Sequence, residues 1–264
     1  MKIALTGGAT GIGAALAKKL KADGHHVTAF DVSEPAENVD RWIKTDLSKS
    51  DSIKSAIDQA EGPFDALVNN AGLPPRDGLS ELILNVNFIG FREFLEGMLG
   101  KLTSGASIVN TASRAGAMWR DNLDEIKALF ALKSADDILA FIASRSIDPV
   151  RAYNLSKEAV IVYSLARTEN MIARKLRMNS VSPAAVSTGI LDDFTKAFGD
   201  RVAKNIARAG RPGSAEEIAD IIAFMASPHS GWMKGVDIIV DGGMSAMAQT
   251  DLLGLNDKNG GADL

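Results

Sequence analysis

Short apolar runs alternate along the chain with longer segments in which apolar residues recur every three or four positions. Apolar runs of roughly four to eight residues are typical of buried strands, whereas the longer recurrence is typical of amphipathic helices. The predicted strands cover residues 3–6, 27–30, 66–69, 107–111, 178–181 and 236–240. The predicted helices cover residues 14–23, 52–60, 79–99, 152–175 and 215–225. This alternation predicts an α/β fold in which a doubly wound parallel sheet carries helices on both faces.

The length of the chain, 264 residues, fits one large α/β domain. No internal repeat and no linker rich in Pro, Gly or Ser divides it, so we predict a single domain over residues 1–264. Two regions fit the alternation poorly. Residues 117–151 are predicted to form a helical insertion, and the polar end of the tail, residues 256–264, is predicted to be mobile.

Charge and composition exclude several partners and kinds of chemistry. Lys and Arg number 29 against 33 Asp and Glu, a net charge of -4, and no run of cations could neutralise a row of nucleic-acid phosphates. The chain has no cysteine, which excludes disulfides, thiolate metal sites and a cysteine nucleophile. We therefore expect no nucleic-acid partner and no metal site.

The apolar segments are too short to cross a membrane, since none approaches the uninterrupted run of about 18 residues that a span needs. The apolar start has the length of a signal peptide, but Gly7, Gly8, Gly11 and Gly13 would weaken a signal helix. We expect a cytoplasmic protein with no membrane partner.

A glycine-rich segment follows the first predicted strand and opens the first predicted helix. It reads Thr6-Gly7-Gly8-Ala9-Thr10-Gly11-Ile12-Gly13. Glycines let the backbone turn tightly and approach a pyrophosphate, and the free amides at a helix N-terminus favour the anion. A plain strand-to-helix turn can have the same composition. The flanking strand and helix favour the alternative, a Rossmann-type cofactor site.

Asp31 ends the second predicted strand, 18 residues beyond Gly13. A carboxylate at this place can accept hydrogen bonds from both hydroxyls of an adenosine ribose, although a solvated turn residue would also fit. Thr10, Val32 and Ser33 supply no cation for a ribose 2′-phosphate. The pattern therefore favours NAD over NADP.

Two tyrosine–cation pairs occur at helical spacing. Tyr153 and Lys157 are four residues apart, and so are Tyr163 and Arg167. A nearby cation stabilises a phenolate and makes tyrosine, with its usual pKa near ~10, a usable general acid and base. Tyr163 stands in the apolar run 160–165, which is more typical of core, and this favours Tyr153 without excluding the other pair.

Further motifs complete a pattern that resembles the short-chain dehydrogenase/reductase family over residues 6–243. Each of these motifs alone could have an ordinary structural role, such as a capping residue, a helix kink or a strand-end hydroxyl. Their order along one chain is nevertheless specific. The motifs are the glycine segment, Asp46-Leu47, Asn69-Asn70-Ala71-Gly72, Asn87, Ser113, Tyr153-x-x-x-Lys157 and Pro183-Ala184-Ala185-Val186-Ser187-Thr188. Ala184 departs from the family, which has glycine there, and this puts the backbone angles of the last loop in question.

The resemblance implies a nicotinamide-dependent oxidoreductase that interconverts an alcohol and a ketone or aldehyde. It implies that Tyr153 transfers the alcohol proton, Lys157 holds the nicotinamide ribose and lowers the Tyr153 pKa, Ser113 binds the substrate oxygen and Asn87 orders a water. It implies that the cofactor contacts are Gly7, Thr10, Gly11, Ile12, Gly13, Asp31, Asp46, Leu47, Asn70, Ala71, Gly72, Tyr153, Lys157, Pro183, Val186 and Thr188.

Within the family, the long connection after Ser113 and residues 156–164 are most similar to 3α-hydroxysteroid dehydrogenase/carbonyl reductases and coniferyl-alcohol dehydrogenases. The resemblance thus implies a hydroxysteroid-like or aromatic alcohol as substrate, and a homodimer or homotetramer. The insertion at residues 117–151 then has three possible roles: it walls the substrate pocket, displaces the helix pairing of the family, or extends the core.

Two other functions stay open at this point. A nucleotide-sensing or scaffold protein would keep the Rossmann site without turnover, but the intact Ser113, Tyr153 and Lys157 argue against it. An epimerase acting on a nucleotide sugar usually carries a larger C-terminal substrate domain, for which this chain has little room.

Overall fold

The computed structural model describes residues 1–133 and 135–255. Within them, a seven-stranded sheet has the order β3-β2-β1-β4-β5-β6-β9, and every neighbouring pair is parallel. The strands of this sheet are β1 (Lys2–Thr6), β2 (His26–Asp31), β3 (Arg41–Lys44), β4 (Phe64–Asn69), β5 (Leu102–Thr111), β6 (Arg177–Pro183) and β9 (Asp237–Val240). Two short strands, β7 (Val186–Ser187) and β8 (Gly213–Ser214), pair separately. The predicted doubly wound parallel sheet is confirmed.

Helices connect the strands. Those up to the insertion are α1 (Gly11–Ala22), α2 (Ser50–Gln59), α3 (Ser80–Leu84), α4 (Phe91–Met98), α5 (Leu123–Ala131) and α6 (Ala135–Arg145). Those after it are α7 (Pro149–Ala166), α8 (Thr168–Ala173), α9 (Leu191–Phe198), α10 (Asp200–Ala209), α11 (Ala215–Ala226) and α12 (Met244–Leu253). A π-helical turn, Asn85–Gly90, joins α3 to α4 and interrupts the helix predicted over 79–99.

The sheet separates two apolar cores because alternate strand residues face opposite sides. Ile3 and Leu5 of β1 pack with α1 and α11, whereas Ala4 between them packs with the core that contains α2, α4 and α7. Both faces of the sheet are therefore covered, and β6, which lies inside the sheet, is buried at every residue.

The order of the sheet reverses between β1 and β4. The chain leaves β1 toward β2 on one side, and it leaves β4 toward β5 on the other. Such a reversal opens a crevice at the carboxyl ends of the two strands, where α/β proteins bind ligands. The predicted site residues at the ends of β1 and β4 meet in this crevice.

The insertion predicted over residues 117–151 forms α5 and α6, and its apolar residues belong to the larger core. Ile126, Leu129, Ile138 and Phe141 are all buried there. The ring of Phe130 stacks on another phenylalanine ring of that core. The insertion therefore extends the core, which is one of the three roles considered for it.

A half-buried ion network ties the insertion to α7. The Arg151 guanidinium binds the carboxylates of Glu125 in α5 (2.5 Å) and Glu158 in α7 (2.8 Å). The Asn122 amide also donates to Glu158 (2.8 Å). Because Glu158 is buried and flanks Lys157, this network fixes the insertion next to α7.

The structure adds elements that the apolar pattern did not predict. The strand β3 is short and half polar. The helices α9 and α10 have no fully buried residue. None of these three elements therefore shows a strong apolar run. The segment predicted as one helix over 152–175 divides at Arg167 into α7 and α8. The tail prediction for residues 256–264 lies outside the described residues.

Two kinds of feature are absent from the described part of the chain. No helix among those residues combines the length and the apolar character needed to cross a bilayer. The same residues contain no group of three or more His, Asp or Glu side chains placed to hold a metal ion.

The packing of the insertion predicts a difference between two leucines within it. Leu129→Ala removes a side chain that is 0% exposed and is expected to lower the free energy of unfolding by about 2 to 5 kcal/mol. Leu139→Ala alters a side chain that is 49% exposed and is expected to change it by less than about 0.5 kcal/mol. Urea unfolding followed by circular dichroism checks both, and a small effect of Leu129→Ala would contradict the packing of α5.

Candidate active site

The glycine segment between β1 and α1 has a backbone that only glycine allows. Gly7 and Gly11 have φ values of 71° and 56°, in the left-handed region. A Cβ on Gly13 would lie 1.8 Å from the carbonyl oxygen of Gly7. Thr10 precedes α1, and its side chain does not cap the helix. The first backbone amides of the helix are therefore available to bind an anion. The segment therefore combines a tight turn with an uncapped helix N-terminus, two features that suit the binding of an anion.

Asp31 ends β2 beside this loop. Its Oδ2 accepts from the backbone N–H of Ala9 (3.0 Å), and its Oδ1 accepts from that of Ser33 (3.0 Å). These bonds hold the carboxylate toward the start of α1. The position is the one predicted for a group that binds an adenosine ribose.

Asp46 and Leu47 form a fixed turn after β3. Burial alone would raise the pKa of Asp46, but hydrogen bonds from Ser48 and the ammonium of Lys49 hold this pKa below its usual value. A Cβ on Gly90 would lie 1.8 Å from the Leu47 carbonyl oxygen, so the turn packs directly on the π-helical segment. The turn therefore stands at the edge of the crevice with an ionised carboxylate.

The segment after β4 is held against the end of β1. The backbone amides of Asn70 and Ala71 both donate to the Thr6 hydroxyl, at 3.0 and 3.1 Å. The Asn70 side chain donates to the Gly7 carbonyl (3.1 Å). A Cβ on Gly72 would come within 3.5 Å of an ammonium on α7, that of the predicted catalytic lysine.

Three of the predicted catalytic residues lie together at the carboxyl end of β5. Ser113 follows β5, and its hydroxyl shares a hydrogen bond with that of Tyr153 on α7. The Lys157 ammonium donates to the Thr111 carbonyl (2.9 Å) and lies 5.8 Å from the centre of the Tyr153 ring. One helical turn separates the tyrosine from the lysine, as their spacing predicted.

Asn87 lies in the π-helical turn and is linked to Tyr153 through one intervening hydroxyl. Its Oδ1 accepts from the backbone N–H of Leu73 (2.7 Å), and its Nδ2 donates to the carbonyl of the same residue (3.0 Å). Its Nδ2 is also 3.3 Å from the Ser156 hydroxyl, which donates to the Tyr153 carbonyl. The extra residue of a π-helical turn is frequent at functional sites, and here it aims the amide at the segment after β4.

Burial displaces the pKa values of both ionisable groups on α7. It raises the pKa of Tyr153 to about 12, although the hydrogen bond with Ser113 lowers this pKa in part. The resemblance implies a lowered value, so burial here outweighs the stabilisation of a phenolate. Burial also lowers the pKa of Lys157 to about 8, which leaves the ammonium largely protonated at neutral pH.

In the competing pair, Tyr163 lies in the apolar core, and its side chain and that of Arg167 bind one carboxylate. The Tyr163 hydroxyl donates to the carboxylate of Glu96, and Arg167 binds the same carboxylate (3.1 Å). Burial and Glu96 raise the pKa of Tyr163 strongly. Its ring packs edge-to-face on Phe88, Phe91 and Phe130. These contacts give Tyr163 a structural role and favour Tyr153 as the candidate for proton transfer.

The loop from Pro183 to Thr188 closes the crevice from the side of β6. Ala184, where the family has glycine, does not adopt the left-handed conformation, so alanine fits without strain. Val186 lies in β7, and the Thr188 side chain is 3.6 Å from the place a Cβ would take on Gly11. The loop therefore meets the glycine segment, as the resemblance implies.

One contact at this site was not predicted from the sequence. The Phe194 ring on α9 packs edge-to-face on the Tyr153 ring, with centroids 5.2 Å apart. Phe198 stacks on Phe194 from one turn further along (6.3 Å). The four-residue spacing of these phenylalanines is the signal that could have indicated a helix with an apolar face.

The crevice defines the class of the protein. A parallel sheet that reverses its order at β1 and β4, with a glycine turn opening a helix there, is the architecture of dinucleotide-binding α/β proteins. The acidic residue at the end of β2 is the usual ribose-binding feature of that class.

Comparison with known proteins identifies the family. Residues 2–123 match the family model described as short chain dehydrogenase, and residues 138–245 match the model described as enoyl-(acyl carrier protein) reductase. The chain belongs to the short-chain dehydrogenase family. It is thus an oxidoreductase of a family that acts on alcohols and binds nicotinamide cofactors, which confirms the resemblance seen in the sequence.

Individual relatives are similar over nearly the whole chain. Coniferyl-alcohol dehydrogenase of Pseudomonas sp. is 35% identical over 93% of this chain and 96% of its own. The 3-alpha-hydroxysteroid dehydrogenase/carbonyl reductase of Comamonas testosteroni is 27% identical over 93% and 96%. The crystal structure of 3-alpha-hydroxysteroid dehydrogenase from Pseudomonas sp. B-0831, complexed with NADH, has a TM-score of 0.82 and 29% identity, over 95% of this chain and 99% of that one.

The displaced pKa of Lys157 predicts a pH-dependent stability. The pKa of Lys157 is about 8 in the folded protein, whereas the ordinary value, expected in the unfolded chain, is 10.5. Between these two pH values the unfolded chain therefore binds more protons than the folded protein. Burial of the ammonium therefore destabilises the fold fully below pH 8, and this penalty is relieved as pH rises toward 10.5. Relative to Lys157→Met, the unaltered protein is expected to gain roughly 2 to 3 kcal/mol of stability between pH 7 and pH 10.

Urea unfolding at both pH values measures this gain. The control is Lys54→Met, which alters an exposed lysine on α2 and is expected to show no such trend. A stability difference between Lys157→Met and the unaltered protein that stays constant with pH would contradict the burial of a protonated ammonium.

Proposed function

We propose that the protein is an NAD-dependent dehydrogenase that interconverts a hydroxysteroid-like or aromatic alcohol and its ketone or aldehyde. The observation that carries the proposal is the contact of Ser113, Tyr153 and Lys157 beside the glycine crevice. The coniferyl-alcohol and 3-alpha-hydroxysteroid dehydrogenases named above support the substrate class.

The residues around the crevice fit an NAD molecule. The glycine turn leaves backbone amides free for a pyrophosphate, and the Asp31 carboxylate stands where a ribose would lie. The residues that would hold the cofactor are Gly7, Thr10, Gly11, Ile12, Gly13, Asp31, Asp46, Leu47, Asn70, Ala71, Gly72, Tyr153, Lys157, Pro183, Val186 and Thr188.

The chain's own groups handle the proton of the reaction. When bound, the nicotinamide supplies hydride exchange with the alcohol carbon. With a pKa of about 12, Tyr153 holds its proton at neutral pH, which suits donation to a carbonyl oxygen. Ser113 binds the same oxygen, and the positive charge of Lys157 stabilises the phenolate left behind.

We also propose that the protein assembles as a homodimer or homotetramer without the helix pairing common in the family. The support is that α5 covers α4 and α7. Arg92 of α4 donates to the carbonyls of Phe130 (2.7 Å) and Leu132 (2.9 Å) at the end of α5. A second subunit could not pack on the surface that these residues already fill.

The position of Asp31 predicts a preference between cofactors. A 2′-phosphate would face this carboxylate, and like charges at 4 Å repel by ~4 kcal/mol at an effective dielectric of 20, which solvent reduces. We expect kcat/KM for NAD to exceed that for NADP at least tenfold, and Asp31→Ser to narrow the ratio. The control Asp23→Ser, at the far end of α1, is expected to leave it unchanged. Equal or reversed values for the unaltered protein would show that Asp31 is misassigned.

The tyrosine assignment predicts opposite results for two matched variants. Tyr153→Phe is expected to lower kcat by at least ~100-fold with NAD affinity nearly unchanged, because it removes the proton-transfer group and leaves the glycine turn intact. Tyr163→Phe is expected to keep kcat. A screen of secondary, steroidal and aromatic alcohols with NAD, following absorbance of the reduced nicotinamide, supplies the assay. No turnover on any alcohol would favour the sensor or scaffold function. Loss of activity in Tyr163→Phe would instead assign proton transfer to Tyr163 and Arg167.

A further inference from the structure

The helix α9 brings an aromatic side chain onto the proposed proton-transfer residue. The rings of Phe194 and Tyr153 meet edge-to-face at 5.2 Å and 67°, and Tyr153 is only 6% exposed. A substrate must place its alcohol carbon beside the Tyr153 hydroxyl. The body of that substrate therefore comes to lie against Phe194.

The attachment of α9 allows Phe194 to make room. No residue of this helix is fully buried. The ion pair between Asp193 of this helix and Arg76 (2.8 Å) joins a half-buried carboxylate to an exposed guanidinium, and such pairs near the surface are weak. The segment that carries α9 and α10 starts and ends at the short paired strands β7 and β8. Phe194 can thus move off the Tyr153 ring and pack against a substrate ring instead, without disturbing the large sheet.

The face that α9 turns toward Tyr153 is apolar. Phe194 and Phe198 are four residues apart on this face, whereas Asp192 and Lys196 are exposed on the other side of the helix. Aromatic rings prefer edge-to-face or offset contacts with other rings, and such pairs gain affinity beyond their buried area. A flexible chain packed on the same surface loses more rotamer freedom than a rigid ring.

We propose that Phe194 is the specificity-determining residue of this site. It selects alcohols that carry a ring directly on, or including, the alcohol carbon, by packing its own ring against that of the substrate. This inference rests on the proposed dehydrogenase function and goes beyond it, because it assigns the choice of substrate to one side chain of α9.

Two secondary alcohols of eight carbons test the assignment. Both 1-phenylethanol and 2-octanol carry a methyl group on the alcohol carbon, and only the first has a ring. Phe194→Leu keeps an apolar side chain but removes the aromatic ring. We expect it to lower kcat/KM for 1-phenylethanol about fivefold to tenfold and to change that for 2-octanol less than about twofold.

The ratio of the two kcat/KM values separates specificity from a merely structural role. If Phe194 only held α9 in place, Phe194→Leu would lower both values equally and leave the ratio unchanged, which would overturn the inference. The matched control is Phe224→Leu, an exposed phenylalanine on α11, and it is expected to keep the ratio of the unaltered protein.

A binding measurement keeps this inference separate from the proposed function. Calorimetry with NAD present compares acetophenone and 2-octanone, the ketones that match the two alcohols, because oxidised NAD has no hydride to transfer to a ketone. If no alcohol is turned over but Phe194→Leu selectively weakens acetophenone, the inference holds and the dehydrogenase function fails. If neither the affinity ratio nor the kcat/KM ratio responds to Phe194→Leu, the inference is wrong even when the unaltered protein is an active dehydrogenase.

Discussion

Close contact between two backbone segments, at the carboxyl ends of β1 and β4, is the constraint on which the site depends. A Cβ on Gly7 would lie 2.7 Å from the Cα of Ala71, and one on Gly13 would lie 1.8 Å from the Gly7 carbonyl. The Thr6 hydroxyl fastens the two segments by accepting from both amides after β4. These contacts fix the glycine turn, and through it the start of α1 and the crevice that the order of the sheet opens.

The second determinant is the burial of charge on α7. Burial drives Tyr153 and Lys157 toward their neutral forms, with pKa values of about 12 and about 8. Perturbed pKa values of this kind cluster at functional sites, where stability is given up for chemistry. The ion pairs of Arg151 with Glu125 and Glu158 anchor the same helix to the insertion. The insertion thus supports the site through packing.

Much of this arrangement is readable from the sequence because it rests on periodicity and on glycine. The strands β1, β2 and β4 are mostly apolar, and the glycine turn needs residues without a Cβ. The choice between Tyr153 and Tyr163 was not readable, since both have a cation four residues later. It depends on Glu96, which reaches Tyr163 from another helix.

The features that sequence reasoning missed are those set by tertiary contact. The π-helical turn at Asn87 keeps the apolar pattern of an α-helix, so the pattern could not show it. The contact between Phe194 and Tyr153 joins residues far apart in the chain, on a helix whose burial is partial. Burial also reversed the expected direction of the Tyr153 pKa, because spacing reveals a neighbouring cation but not the depth of a side chain.

The proposed function requires that hydride pass between the alcohol carbon of a substrate and NAD bound in this crevice. The most direct measurement uses 1-phenylethanol with deuterium on its alcohol carbon, incubated with the protein and NAD, and mass spectrometry of the recovered cofactor. We predict one deuterium in the reduced nicotinamide and an equal amount of acetophenone. Acetophenone formed without deuterium in the cofactor would contradict it.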